Sequence, residues 1–194
     1  MRVCVVRPCR VASAAQASEA FDPARVVDGL NKVLCKELQH QFVTAGCLFP
    51  DMEDRIALYS GAGHPPLLLW RRSSRTLHEI EKNGLLLGFR SSESYSSTQF
   101  DLQPGDRIVM CTDGILEAEH PSRGFFGDPR LRELIADGDH LSAKDFADSI
   151  LNDACGWSGR ESGRGQEDDI TLVVLDIAGT PPEDTARPPA LRGA

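Results

Sequence analysis

With 194 residues, 41% of them hydrophobic and 26% charged, the chain suits one globular domain large enough to bury a real core. A net charge of −8 and a pI near 5.1 argue against a nucleic-acid or anionic-membrane partner, because both need a cationic surface. The six cysteines (Cys4, Cys9, Cys35, Cys47, Cys111, Cys155) show no Cys-x-x-Cys pair, which points to a reducing cytoplasm, and no apolar run is long enough for a membrane span.

Residues 1–21 read as a helix-like segment. The apolar core of Met1 to Arg10 stops at Arg7-Pro8, too short for a secretory signal, and residues 11–20 are rich in Ala and Ser. Asp22-Pro23 starts a firm helix, Asp as cap and Pro in the first turn. Val26, Val27, Leu30, Val33, Leu34 and Leu38 then recur at spacings that predict a buried face as far as about Gln39. Phe42–Phe49 and Arg55–Ser60 read as a strand pair across the turn Met52 to Asp54. After the sharp loop Gly61-Ala-Gly-His-Pro-Pro66, Leu67–Trp70 and Thr76–Ile80 form a second pair around the solvated tip Arg71 to Arg75.

Gly84–Gly88 is another turn-bounded segment, and Ser97–Leu102 another strand. Pro104-Gly105-Asp106 turns the chain into Ile108–Cys111, a short continuous apolar run of the kind buried on both faces. Helices follow from Asp128-Pro129, carrying Leu131, Leu134 and Ile135, and from the cap Ser142, carrying Phe146, Ile150 and Leu151. A polar loop, Gly156 to Gln166, leads through Glu167-Asp168-Asp169 into the β-branched strand Ile170–Ile177. Residues 179–194, rich in Pro, Arg and Ala, read as a disordered tail, so the domain spans 22–178. Strands grouped between helices, rather than alternating with them, predict an α+β fold: a layered sandwich of mainly antiparallel sheets.

Two acidic spots adjoin strands. Asp113 ends one, and Asp168-Asp169 begin another. Were these strands antiparallel neighbours, their carboxylates would converge, and a divalent hard cation is the usual way to relieve such repulsion. Alternatively, Asp113 simply caps the helix after it. His40, His64, His78, His120 and His140 have no paired ligand spacing for zinc. Gly63 and His64 read as structural turn residues. No Gly-x-Ser-x-Gly elbow or phosphate-cradling glycine loop occurs. A haloacid dehalogenase-like reading fails because Cys111 stands where that class needs its nucleophilic aspartate.

In order along the chain come Gly61-Ala-Gly-His-Pro-Pro-Leu67, Gly84 to Gly88, Leu102-Gln-Pro-Gly-Asp106, Thr112-Asp-Gly-Ile-Leu-Glu-Ala118, Phe126-Gly127 and Asp168-Asp-Ile-Thr-Leu172. This series resembles the metal-dependent (PPM-type) serine/threonine protein phosphatases, in their bacterial branch typified by stage II sporulation protein E and the phosphatases that regulate sigma factors. The resemblance implies an α-β-β-α sandwich holding two Mn²⁺ or Mg²⁺ ions. It also implies hydrolysis of phosphoserine or phosphothreonine by a metal-activated water. Carried over, Asp113, Asp168 and Asp169 form the metal-site set, with Asp113 and Asp168 as direct ligands and Asp169 either a ligand in its neighbour's place or a support for the turn. Gly114, Gly63 and His64 line or shape the site. The implied substrate is a phosphorylated anti-sigma-factor antagonist.

The family's upstream Gly-Asp-x-Ser-Gly-His-Gly segment, whose aspartate bridges both metals, has no counterpart here. The expectation is therefore a domain that starts in the helix after that segment and lacks the opening strands. It would hold metal weakly and dimerise through its exposed sheet edges. Besides the active phosphatase, this leaves two alternatives: a non-catalytic remnant that binds a phosphoprotein, and a purely structural module.

Overall fold

The computed structural model describes residues 3–6, 21–38, 41–81, 83–158 and 170–178. Helix α1 (Pro23–Glu37) is followed by strands β2 (Ala45–Asp51), β3 (Ile56–Ala62), β4 (Leu67–Arg71) and β5 (Thr76–Ile80). Then come β6 (Asn83–Gly84), β7 (Thr98–Asp101) and β8 (Arg107–Cys111). A single helical turn, α2 (Asp113–Leu116), leads to the small strands β9 (Glu119–His120) and β10 (Gly124–Phe125). Helices α3 (Gly127–Asp137) and α4 (Ala143–Trp157) flank a 3-10 turn at Gly138–His140, and β11 (Leu172–Asp176) closes the order. Strand β1 (Val3–Val6) precedes them all.

The strands form two main sheets. One runs β1-β2-β3-β6, with β7 also paired to β3; the other runs β11-β8-β4-β5. Every pairing in the second sheet is antiparallel. The burial pattern makes the layers visible. Ile108 and Met110 of β8 join Leu67, Leu69, Leu48, Ala57 and Tyr59 in a cluster between the sheets. Their chain neighbours Val109 and Cys111 turn the other way, into a cluster with Leu131, Ile135, Phe146 and Ile150 of the α3–α4 layer. Ala24 and Val27 of α1 pack on Ala45, Cys47 and Ala62 of the first sheet. The result is the expected α-β-β-α sandwich. Because β8 has a covered layer on each side, all five of its residues are buried, which is why it reads as an unbroken apolar run.

Three expectations are corrected. The first ten residues do not begin a helix: Val3–Val6 is a strand, paired in parallel with Ala45–Leu48. Its β-branched valines favour the pleated conformation, and β2 offers them a partner. The remaining residues of the 1–21 segment, apart from Phe21, and the tail 179–194 lie outside the described residues. Val33 is 56% exposed rather than on the buried face of α1. Two positions from buried Asn31, it sits about 200° round the helix. The first sheet's second strand also starts later than expected, at Ala45, while Val43 makes an isolated bridge to Leu87. Among the described residues no helix is long and apolar enough to cross a membrane.

Polar contacts, as much as apolar ones, dock the 85–97 loop on α1. Asp22 caps the helix, accepting from the Ala24 N–H at 3.0 Å, and also accepts from the Ser97 hydroxyl at 2.5 Å. Asn31, 1% exposed, donates to the Arg90 carbonyl at 2.9 Å and accepts from the Gly88 N–H at 3.0 Å. The Tyr95 N–H donates to Asp28 at 2.9 Å, and its hydroxyl donates to the Leu85 carbonyl at 2.8 Å. Burial, reinforced by the charges of Glu93, Cys35 and Asp28, pushes the Tyr95 phenol up to about 12.

Candidate metal centre

β8 carries the chain to Thr112, which stands at the N-cap of α2 in an extended conformation. Its side chain makes no capping bond to that turn. Instead its hydroxyl oxygen accepts from the Thr171 N–H at 2.9 Å, while its own N–H donates to the Thr171 carbonyl at 3.0 Å. The ladder between β8 and β11, which pairs Cys111 with Leu172, is thereby extended one residue beyond the strands. Asp113 follows as the first residue of α2 and is half-buried. The capping alternative is thus excluded in its simple form, since the cap position belongs to Thr112. A first-turn carboxylate sits against the positive end of the peptide dipoles of this turn. The Glu117 N–H donates to the Asp113 carbonyl at 2.7 Å, and Gly114 is buried beneath.

The strand relationship anticipated from sequence is present: β8 and β11 are antiparallel neighbours, so the end of one lies beside the start of the other. Asp168 and Asp169 lie outside the described residues, directly ahead of Ile170 and Thr171. Among the described residues, no group of three or more His, Cys, Asp or Glu side chains gathers around a metal position. What this end of the sandwich offers is the Asp113 carboxylate, a hard oxygen donor that suits Mg²⁺ or Mn²⁺ rather than a thiolate-seeking ion.

Gly63 and His64 occupy the same end, in the loop joining the two sheets between β3 and β4. Gly63 has φ +61°, and a Cβ there would meet Leu86 Cδ2 at 2.3 Å, so this turn requires glycine. His64 is 2% exposed, with Nδ1 2.8 Å from the Pro65 carbonyl oxygen. Its ring packs on Gly46, where a Cβ would lie 3.3 Å from Nδ1 and 2.7 Å from Met110 Cε. A missing side chain in β2 therefore makes the notch that admits both His64 and Met110. Sequence reading missed this glycine because a lone Gly in a strand signals a close approach without naming what approaches. It also missed the role of Thr112, which a motif centred on aspartate conceals.

Comparison with known proteins agrees with this architecture. Residues 5–178 match the family model described as Stage II sporulation protein E (SpoIIE). The phosphoserine phosphatase RsbU of Bacillus subtilis (strain 168) is 30% identical over 156 residues, covering 79% of this chain and 44% of RsbU. The chain thus spans less than half the length of that relative. Among solved structures, the SiaA-PP2C domain of Pseudomonas aeruginosa superposes with a TM-score of 0.70 at 21% identity, covering 84% of this chain and 64% of that one. The phosphatase domain of SpoIIE from Bacillus subtilis, in a crystal presoaked with Mn, gives 0.62 at 19% identity, covering 95% of this chain and 82% of that one. A profile match across nearly the whole chain, a homologous phosphatase and a shared four-layer fold converge: the chain belongs to the stage II sporulation protein E family of protein phosphatases.

Proposed function

We propose that the chain removes phosphate from phosphoserine or phosphothreonine on a regulatory protein in the cytoplasm, using Mn²⁺ or Mg²⁺ held by Asp113 and Asp168. The observation that carries this reading is the β8–β11 register, which brings Thr171 against Thr112, one residue before Asp113. Asp169 is two residues from Thr171, so chain connectivity keeps the two Cα atoms within about 7 Å. Asp169 supports the turn that presents Asp168. When bound, such ions supply positive charge that lowers the pKa of a water and stabilises a transferring phosphoryl group. Asp113 would contribute a carboxylate oxygen, with its backbone held in the first turn of α2, and the Thr112 hydroxyl accepts from the N–H of Thr171, three residues after Asp168 in sequence. Gly63 and buried His64 would shape the loop between β3 and β4 at the same end. Family membership favours a phosphorylated anti-sigma-factor antagonist as the natural partner.

The test is hydrolysis of p-nitrophenyl phosphate with and without Mn²⁺. Metal-dependent turnover is expected, falling at least about a hundredfold in Asp113→Ala. Absence of turnover at millimolar Mn²⁺ would overturn the enzymatic reading and leave a phosphoprotein-binding module.

A further inference from the structure

The hairpin β9–β10 plays no part in the chemistry above, yet it is built with care. Strands of two residues do not hold a shape unaided. Here the shape comes from two anchors. The backbone N–H groups of Ser122 and Arg123 both converge on His120 Nδ1, at 3.1 and 3.2 Å, which makes that nitrogen the acceptor. Trp157, the last residue of α4, donates from Nε1 to the Gly124 carbonyl at 2.9 Å. Its indole meets Phe126 edge-on, with centroids 5.8 Å apart, and His120 at 6.4 Å.

On this platform sits Arg123. Its guanidinium lies 4.2 Å from the Trp157 ring centroid, and Nη2 donates to the Trp157 carbonyl at 3.4 Å. Five arginines on this half of the molecule are committed to carboxylates: Arg71 to Asp106, Arg72 to Asp139, Arg107 to Asp176, Arg130 to Asp153 and Arg132 to Glu79. Arg123 has no carboxylate partner among the described residues, and it is exposed. A stacked guanidinium has lost little further freedom to lose, and its remaining N–H donors form a planar fork suited to carboxylate or phosphate. Next to it, Gly124 has open space around it and Phe125 is 63% exposed.

The hairpin also lies close to the candidate metal centre. Glu117 is one helical turn from Asp113, about 6 Å, and Glu119 is two residues further, at most about 7 Å more. In a chain of net charge −8, an acidic phosphoprotein is repelled unless a local cation receives it. Exposed Glu117 and Glu119 on the approach sharpen that need.

We infer that the Glu119–Phe125 hairpin is a docking arm for the polypeptide substrate, Arg123 receiving an acidic side chain that flanks the phosphorylated residue and Phe125 an apolar one beside it. This rests on the phosphatase reading for its partner but not for its test. The probe is a fluorescein-labelled peptide with a central phosphoserine flanked on both sides by Glu and Leu, titrated with the full chain in the absence of Mn²⁺. Arg123→Glu is expected to weaken binding about tenfold, Arg123→Lys to restore part of it, and Phe125→Ser to weaken it severalfold. With Mn²⁺, the same Arg123→Glu change raises KM for the peptide with kcat held within about twofold. Equal affinity for wild type and Arg123→Glu overturns the inference, as does failure of the wild type to bind millimolar peptide. Should Arg123→Glu fail to fold, Phe125→Ser decides alone, because its ring is largely outside the core. A wild type that binds peptide but never turns over p-nitrophenyl phosphate sinks the phosphatase reading and leaves the arm standing.

Discussion

Thr112 performs with one side chain what the neighbouring backbone cannot: it continues a strand ladder past the point where the chain has already turned into a helix. Thr112→Val preserves the shape but strands the Thr171 N–H. The expected cost is about 1 kcal/mol, read as a lower urea midpoint, with weaker Mn²⁺ dependence of turnover because the second acidic segment loses its tether. Tyr95 offers a pH readout of a different contact. Its phenol is raised to about 12, so the native state holds that proton more tightly than the unfolded chain does. The corresponding stability is fully present below pH 10, the ordinary tyrosine value, and is lost as pH rises through the folded value near 12. Tyr95→Phe is expected to cost about 1 kcal/mol at neutral pH, through loss of the bond to the Leu85 carbonyl, and to flatten the alkaline decline measured by chemical denaturation.

At the scale of elements, legibility follows length and coverage. β8 was readable because both of its faces are covered, and β11 because its β-branched residues stand between a polar loop and a Pro-rich tail. The Asp22 and Ser142 caps were readable because capping is local chemistry; both accept the backbone bonds expected of them. Val3–Val6 was misread because four residues carry no usable periodicity and its partner, β2, is some forty positions away. The same shortness hides α2, β9 and β10 from any pattern argument. Phe126 shows a further limit: it holds the N-cap position of α3 without a side-chain bond, so Asp128-Pro129 marked the helix region correctly but not its cap. Of the site, Asp113 was legible as a strand-end acid, whereas the exposed Arg123–Trp157 stack pairs residues that no spacing connects.

At the scale of the molecule, one buried cation reinforces the junction of layers that pack mainly through apolar contact. Arg107 is fully buried and bonds Asp176 through two nitrogens, at 2.6 and 2.8 Å. It also donates to the carbonyls of Gly138 and Leu141, at 3.0 and 2.7 Å, and lies 4.5 Å above the Phe146 ring. Arg107→Met should therefore cost about 3 kcal/mol, since it orphans two carbonyls in the α3–α4 connection and frees the far end of β11. The loss should appear in urea unfolding as one cooperative shift if helices and sheet are a single unit.

The Thr112–Thr171 contact has a further consequence, for the order of events at birth. Its partners are separated by 59 positions, and the later one directly precedes β11. Until the segment carrying Thr171 has been synthesised, Asp113 and the strand that bears it exist without the partner that continues their ladder. Closing so long a loop is entropically slow. The Thr112–Thr171 pairing is thus expected to form late in folding, once β11 has docked on β8.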